Sequence, residues 1–360
     1  MFEPDEARAG TRVHGGPNDD EIRRLGIDRA RLLDFSVNTN PYGPCPAVLE
    51  AIRSAALDHY PDPTARMARE SMARALAAPP EALALGNGAA DLLWVLAHML
   101  VLRGTPALIV EPTFSEFRRA AATLGARLFE YRAQEQTDFC IDLHEVGSLA
   151  RASEAQVVYL CTPNSPTGVG VAAARVAAWA RAHPHLYVVL DQSFLSLSDD
   201  FADASVGMPP NVIRVRSLTK DHALPGLRVG YVIAAPELVA RLEQHRPAWS
   251  TSTPAQAAAV AASTQAKFVT ESREQLARDR QRMLAELRAL GLAPLASSAP
   301  FFLVRVRAPS TLRGRLLAQH HVLVRDCSSF GLEHFIRLAV RPALDCQRLV
   351  SALQQELPQC

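Results

Sequence analysis

Short apolar segments alternate with longer mixed segments through the middle of the chain. Six apolar segments, rich in Val, Ile, Leu and aromatic residues, predict β-strands over 106–112, 126–133, 155–163, 186–192, 211–218 and 228–235. Several stretches between them, such as EFRRAAATLGA and VAAARVAAWARAH, have the composition of helices. Because alternating strands and helices form βαβ units, the pattern predicts a mostly parallel sheet covered on both faces.

The pattern changes after residue 250. Residues 251–292 predict one long, interrupted helical stretch. The segments FFLVRVRA, LLAQHHVLVRDCS and HFIRLAVRP then predict a strand, a helix and further strands at a new spacing. This change predicts a second, smaller α+β domain that begins near residue 251.

Composition excludes several classes of protein. The 360 residues suffice for about two domains. With 48% hydrophobic and 21% charged residues the chain has the composition of a soluble globular protein, and its net charge of +1 gives no reason to expect nucleic acid or membrane as a partner. The chain starts without a signal-peptide pattern and has no run of about 18 apolar residues, so we expect a cytoplasmic protein. Six scattered cysteines without a CxxC pair favour reduced thiols and no metal site.

The residues that follow the predicted strands carry candidate chemistry. The loop TPNSPTG (162–168), Asp191 and Lys220 each come directly after a strand. Because ligands bind beyond the carboxyl ends of strands in such sheets, we expect these residues to meet at one edge. A lysine held in a pocket is suited to a Schiff base with an aldehyde, as pyridoxal phosphate requires.

Pyridoxal phosphate also needs an acid that keeps its ring nitrogen protonated and a site for its phosphate. Asp191 could supply the acid. The turn GNG (86–88) precedes an apolar helix that begins near Ala89, and a helix N-terminus binds phosphate through its N–H groups. Ser217 and Arg228 could add a hydroxyl and a cation to the same phosphate.

With these residues the chain resembles the fold-type-I pyridoxal-phosphate enzymes of the class I/II aminotransferase superfamily. The nearest branches are histidinol-phosphate aminotransferase and threonine-phosphate decarboxylase of cobalamin biosynthesis. The resemblance covers nearly the whole chain. The matching segments are HGG (14–16), LDFSVNTNPYGP (33–44), HYPDP (59–63), GNGAADLL (86–93), EPTFSEF (111–117), PNSPTG (163–168), LDQSF (190–194), SLTKDHALPGLRVGY (217–231), VRDCSSFGL (324–332) and FIRLAVR (335–341).

The resemblance implies an organisation. It implies the fold-type-I transferase fold, an α/β fold with a mostly parallel sheet in the large domain and a smaller α+β C-terminal domain. Residues 1–40 would cover the active site, 41–250 would form the large pyridoxal-phosphate-binding domain and 251–360 the small domain. It also implies a homodimer with shared active sites.

The resemblance further implies roles for single residues. Lys220 would carry the cofactor and Asp191 would pair with its ring nitrogen. The other cofactor-binding residues would be Gly88, Ala89, Ala90, Phe114, Ser165, Ser217, Arg228 and, from the neighbouring subunit, Tyr60. The substrate-binding residues would be His14, Asn38, Asn40, Arg325 and Arg337.

Two segments depart from the family pattern. Ser165 stands where the family has an asparagine that contacts the 3′-oxygen of the cofactor. Where the family has DEA followed by Tyr or Phe, this chain has Asp191, Gln192, Ser193 and Phe194. Phenylalanine cannot donate the hydrogen bond that tyrosine gives to that oxygen. We therefore expect a weaker hold on the 3′-oxygen, or one through Ser165 or a water.

The reaction depends on which bond of the substrate is broken. Three C-terminal arginines, Arg325, Arg337 and Arg341, carry more positive charge than one carboxylate requires. With the HGG and DFSVNTNP segments, this favours decarboxylation of an amino-acid phosphate of the L-threonine O-3-phosphate type. The alternative is an aminotransferase of the histidinol-phosphate type, and a second alternative is a catalytically silent binding protein of the same fold. Cofactor colour distinguishes the silent protein from the enzymes, and the reaction product distinguishes the two enzymes.

Overall fold

The structure is a computed structural model that describes residues 15–359. Its helices are α1 (Asp19–Arg24), α2 (Pro46–Arg53), α3 (Arg66–Leu76), α4 (Ala89–Leu100), α5 (Glu116–Thr123), α6 (Leu143–Ala152), α7 (Ala173–Ala182), α8 (Leu218–Asp221), α9 (Pro236–Gln244), α10 (Thr253–Ala262), α11 (Ala266–Ala289), α12 (Pro309–His320) and α13 (Ala343–Glu356). Its strands are β1 (Leu33–Asp34), β2 (Leu83–Gly86), β3 (Pro106–Glu111), β4 (Arg127–Arg132), β5 (Val157–Cys161), β6 (Tyr187–Asp191), β7 (Val212–Ser217), β8 (Gly230–Ile233), β9 (Phe301–Arg305), β10 (Val322–Leu323), β11 (Arg325–Asp326) and β12 (Phe335–Ala339).

The central sheet has seven strands in the order β2-β8-β7-β6-β5-β3-β4. β3 to β7 pair in parallel, whereas β8 runs antiparallel to both β7 and β2. The predicted mostly parallel α/β sheet is therefore confirmed, and all six predicted strands lie in it. β2 was not predicted, because the apolar residues 83–86 run almost directly into those of α4 and periodicity alone does not separate them.

Both faces of this sheet are buried under helices. Ile109, Tyr159 and Val215 lie in the core that includes residues of α4 and α5. Leu108 and Val158 lie in the core that includes residues of α6 and α7. Because successive strand residues point to opposite faces, two buried faces explain why these strands are apolar throughout.

A second, antiparallel sheet lies in the C-terminal part, in the order β11-β12-β9. Its residues share a core with α11, α12 and α13. The N-terminal segment joins this part, since β1 pairs in parallel with β10 through Leu33 and Val322. Residues 33 and 34 thus pack on the C-terminal part of the chain.

The long helical stretch is interrupted between α10 and α11, as predicted. α10 shares a core with α2 and α3, whereas α11 contributes to the C-terminal core. The domain boundaries at 40 and 250 stay a prediction.

None of the helices in the described part of the chain is long and apolar enough to cross a membrane. Within residues 15–359, no cluster of three or more His, Cys, Asp and Glu side chains could hold a metal ion.

Candidate active site

The carboxyl ends of three neighbouring strands assemble the centre of the site. Asp191 is the last residue of β6 and pairs with Cys161 of β5 and Val215 of β7. Lys220 lies in α8, which follows β7 without a break. The loop after β5 carries Ser165. The structure therefore brings the predicted lysine, acid and loop to one edge of the sheet.

Lys220 lies beside an aromatic ring and among charged side chains. Its carbonyl oxygen accepts a hydrogen bond of 3.0 Å from the backbone N–H of Asn40. Its Nζ lies 5.7 Å from the centre of the Phe194 ring. Burial, and then the positive charges of Arg337 and Arg228, lower the pKa of Lys220 to about 8. A substantial fraction of this amine is thus neutral and nucleophilic near pH 8.

Asp191 is a buried carboxylate held at both oxygens. Its Oδ2 accepts a hydrogen bond of 3.0 Å from the Tyr159 hydroxyl, and its Oδ1 accepts one of 2.9 Å from the Ser193 N–H. Burial raises the pKa of Asp191, and hydrogen bonding to Ser193, then to Tyr159, and the charge of Lys220 oppose the rise. A buried acid of this kind favours a cationic partner.

The N-terminus of α4 forms a narrow cradle. Gly88 has φ +90° and precedes Ala89, and no side chain caps this helix end. A Cβ at Gly88 would lie 2.6 Å from Arg228 Nη2, and a Cβ at Gly230 would lie 2.7 Å from the Ala89 nitrogen. The glycines thus allow Arg228 and β8 to approach the first N–H groups of α4, an arrangement suited to an anion.

Two further predicted cofactor contacts lie near these elements. Ser217 ends β7, and its hydroxyl lies 2.6 Å from the Thr219 hydroxyl in a buried pair. Phe114 is half-buried and packs against the core that contains α4.

Arg337 and Arg325 form the opposite wall of the site. They are directly paired residues of β12 and β11, so their side chains project from the same face of the small sheet. Both are buried. Arg325 Nη2 donates to the Ser329 hydroxyl at 2.7 Å, and its guanidinium lies 5.3 Å from the Phe330 ring centre.

Arg337 joins the two sheets and the N-terminal segment. Its Nη1 donates to the Ser165 hydroxyl and its Nη2 to the Ser36 carbonyl, both at 2.8 Å. Burial, and then the charge of Arg325, lower the pKa of Arg337 to about 10. In the described chain Arg337 donates to a hydroxyl and a carbonyl and not to a carboxylate, its Nε has no hydrogen-bond partner, and Asp34 acts on it as a nearby negative charge. A buried cation whose hydrogen-bond partners are neutral is suited to bind an anion.

Two phenylalanines line the space between the lysine and the arginines. Phe194 packs edge-on against Phe301 with ring centres 4.8 Å apart. Phe301 in turn lies 5.3 Å from the guanidinium of Arg337. The wall between Lys220 and Arg337 is therefore apolar.

Other predicted contacts are engaged elsewhere. The Asn40 side chain donates to the Asp221 carbonyl and the Ser272 hydroxyl and accepts from the Tyr42 N–H, so it holds the Lys220 turn in place. The Arg341 guanidinium donates to the carbonyl oxygen of Asp34.

Three predicted residues remain. Asn38 is buried, and its Oδ1 has no hydrogen-bond partner in the described chain. Tyr60 is 81% exposed and stacks on Trp249 with ring centres 4.7 Å apart. His14 lies outside the described residues.

Two signals in the sequence were missed. The chain contains only two lysines, and Lys267 is an exposed residue of α11 that lies 3.7 Å from Glu271. Since Lys267 falls within the predicted helical stretch 251–292, Lys220 is the only lysine of the sequence that follows a predicted strand. Tyr159 is a lone hydroxyl in the apolar run VVYLC, and this polar atom on a buried strand could have indicated a buried partner.

Known proteins share this architecture. The family described as "Aminotransferase class I and II" matches residues 30–354. A histidinol-phosphate aminotransferase 2 of Ralstonia nicotianae is 32% identical over 100% of this chain and 98% of its own length.

Two further similarities extend this finding. An adenosylcobalamin biosynthesis bifunctional protein of Leptospira interrogans is 27% identical over 94% of this chain and 40% of its own length. The crystal structure of histidinol-phosphate aminotransferase from Sinorhizobium meliloti in complex with pyridoxal-5′-phosphate superposes with a TM-score of 0.88. That pair is 28% identical and aligns over 100% of this chain and 99% of the other.

Proposed function

We propose that this chain, which belongs to the aminotransferase class I and II family, is an aminotransferase of the histidinol-phosphate type. It is a pyridoxal-phosphate-dependent enzyme of this family, and its cofactor is pyridoxal 5′-phosphate. The observation that carries the proposed substrate class is Arg337, a buried cation whose hydrogen-bond partners in the described chain are a hydroxyl and a carbonyl.

The residues present fit this cofactor at three points. The cradle of Gly88, Ala89 and Ala90 with Arg228 suits the phosphate, because a side chain at Gly88 would occupy it. The amine of Lys220, whose pKa is lowered to about 8, suits the aldehyde. The buried carboxylate of Asp191 suits a protonated ring nitrogen.

When bound, pyridoxal phosphate supplies an aldehyde that reacts with amines and a ring that accepts electrons from the amine-bearing carbon. Lys220 Nζ can hold or release a proton near neutral pH, because its pKa is about 8. We assign to it the transfer of a proton at the substrate carbon.

Arg337, with Arg325 beside it, would orient the substrate through an anionic group. Phe194 and Phe301 would contact the apolar atoms between that anion and the reacting amine. Holding the substrate at two ends fixes which bond of the reacting carbon faces the lysine. Ser165, whose hydroxyl accepts from Arg337, lies beside this anion site.

The comparisons favour transamination over the decarboxylation that sequence analysis placed first. A relative named as a histidinol-phosphate aminotransferase aligns over nearly its full length, and so does the solved aminotransferase from S. meliloti. Their similarity also supports an active enzyme over a silent protein of the same fold.

The test is a product assay with L-histidinol phosphate. We expect the purified protein to be yellow and to consume this substrate only when a 2-oxoacid is present as acceptor. Colourless protein that stays colourless with added cofactor would disprove the cofactor assignment. Yellow protein that does not convert the substrate would disprove the substrate assignment.

Decarboxylation of an amino-acid phosphate is the second candidate. It is favoured by the segments at 14–16, 33–44, 59–63 and 324–332, and by similarity to the L. interrogans protein named for adenosylcobalamin biosynthesis. The matching assay supplies O-phospho-L-threonine without an acceptor. Release of carbon dioxide with formation of aminopropanol phosphate would establish this candidate over the first.

We also propose that two copies of the chain form an isologous dimer. Tyr60 and Trp249 are exposed and stacked, and Leu57 (79%) and Met67 (69%) are also exposed large apolar residues, which suggests a contact surface. Gel filtration should show a dimer. A fully active monomer would exclude a contribution of Tyr60 to the neighbouring site.

A further inference from the structure

Tyr159 lies beneath the proposed acid, in the interior of the protein. It is a residue of β5 and pairs with Val189 of β6, two residues before Asp191. Tyr159 is 0% exposed, and its hydroxyl donates to Asp191 Oδ2 at 3.0 Å. The hydrogen bond therefore reaches the carboxylate from the protein interior.

The ring of Tyr159 is fixed by its packing. It stacks almost parallel on Phe117 of α5, with ring centres 5.3 Å apart and an angle of 9° between the planes. Phe117 is itself fully buried. Because both rings are enclosed, the hydroxyl has little freedom to leave Asp191.

The hydroxyl is also a permanent donor. Burial, and then the charge of Asp191, raise the pKa of Tyr159 well above its usual value, so the phenol stays protonated. Burial likewise raises the pKa of the neighbouring Cys161 thiol, which stays neutral. Two further charges act on this pair. Lys220 lowers the pKa of Asp191 and so favours its ionised form, and Glu111 raises the pKa of Tyr159.

We propose that Tyr159 is a positioning residue that, together with the Ser193 N–H, fixes the plane of the Asp191 carboxylate toward the ring nitrogen of the cofactor. This inference rests on the proposed function. The Ser193 bond at Oδ1 alone would leave the carboxylate free to rotate about that contact. With Tyr159 at Oδ2, the orientation is determined before the cofactor binds, which lowers the cost of ordering at binding.

The test compares Tyr159→Phe with the wild type. We expect the variant to bind pyridoxal phosphate about tenfold more weakly, the effect of removing one hydrogen bond to a charged group. Losing a donor raises the pKa of Asp191, so the pH-dependent change in the visible absorption of the bound cofactor should move to higher pH. Affinity and absorption are measured directly and do not depend on turnover.

Tyr131→Phe is the matched control. Tyr131 lies on β4 of the same sheet, and its hydroxyl accepts a hydrogen bond of 3.1 Å from the Asp142 N–H, away from the candidate site. This variant should bind the cofactor as the wild type does. A similar loss of affinity in both variants would show a general effect of losing a phenol and would overturn the inference.

A double-mutant cycle separates positioning from packing. In an Asp191→Asn background, Tyr159→Phe should have at most a twofold effect on cofactor affinity, since the carboxylate that it serves is gone. An undiminished tenfold effect there would overturn the inference.

If Tyr159→Phe does not fold, Phe117→Leu is the variant to measure. It keeps the Tyr159 hydroxyl but removes the ring that Tyr159 stacks on. A smaller loss of cofactor affinity in this variant is expected, and unchanged affinity would overturn the inference. Wild-type protein that takes up no pyridoxal phosphate would overturn the proposed function and this inference together. Wild-type uptake with an unaffected Tyr159→Phe variant would overturn this inference alone.

Discussion

The two walls of the candidate site are built in different ways. We call Asp191, Ser217 and Lys220 the cofactor wall, and these residues lie at the ends of adjacent strands or in the turn directly after them. We call Arg337 and Arg325 the substrate wall. The hydrogen-bond partners of Arg337, Ser165 and Ser36, lie 172 and 301 residues away in the chain. One wall follows from the sheet, and the other requires three distant segments to meet.

This difference separates the residues that hold the cofactor from the residues that select the substrate. Strand ends of a packed sheet hardly move, so the groups that hold the cofactor are rigid. Arg337 is held by a hydroxyl and a carbonyl instead of a carboxylate. Its charge thus remains available to a substrate anion. Variants of the cofactor wall should therefore abolish or slow the reaction, and variants of the substrate wall should change what the enzyme binds.

The largest expected effect is that of Lys220→Ala. No other lysine side chain lies in the site, because the remaining lysine of the chain is the exposed Lys267 on α11. We expect no covalent capture of the cofactor and no measurable turnover. Borohydride reduction followed by peptide mapping should label Lys220 in the wild type. Lys267→Ala is the control and should be fully active, and normal activity of Lys220→Ala would refute the assignment.

Asp191→Asn should slow turnover at least about 100-fold, the low end of such electrostatic contributions. The variant loses the negative charge that favours a protonated ring nitrogen. Asp279→Asn is a matched control, because Asp279 is also buried and accepts a tyrosine hydroxyl, that of Tyr42 at 2.7 Å. Steady-state kcat is the measurement. A kcat of Asp191→Asn within threefold of the wild type would contradict the pairing.

Arg337→Gln tests the substrate wall. We expect KM for a phosphorylated substrate to rise about 10- to 100-fold, as for the loss of one or two hydrogen bonds to a charged group. Cofactor affinity should change less than about threefold, because its anchors lie on the other wall. Arg305→Gln is the control, since Arg305 lies on β9 of the same small sheet but is exposed. Equal loss of cofactor and substrate binding would remove the distinction between the walls.

The smallest expected effect is a pH shift that links the two walls. Cofactor capture requires the neutral amine of Lys220, so its rate should rise with pH and level off above about 8. Below that pH the rate should fall about tenfold per pH unit. Removing the positive charge in Arg337→Gln raises the pKa of Lys220, so the midpoint should move to higher pH. Stopped-flow absorption measures both midpoints, and an unmoved midpoint would show that the walls are electrostatically independent.

Much of the cofactor wall was predictable from the chain itself. Asp191 and Lys220 follow apolar strands, and parallel strands place their ends at one edge. A hydroxyl inside an apolar run indicates a buried partner for Tyr159, but it does not indicate which residue of the next strand that partner is. Asn40 was predicted as a substrate contact, yet its amide is engaged by the Lys220 turn and α11, which only the packed chain reveals.

The sequence alone determined the alternation of strands and helices, the residues at the strand ends and the family, because these depend on local patterns and contiguous motifs. Tertiary structure alone decided that β8 runs antiparallel, that β1 pairs with β10, and that a hydroxyl and a carbonyl hold the buried Arg337. Strand direction, distant pairing and the burial of a charge depend on which segments pack together. Residues hundreds of positions apart carry no local signal of such a contact.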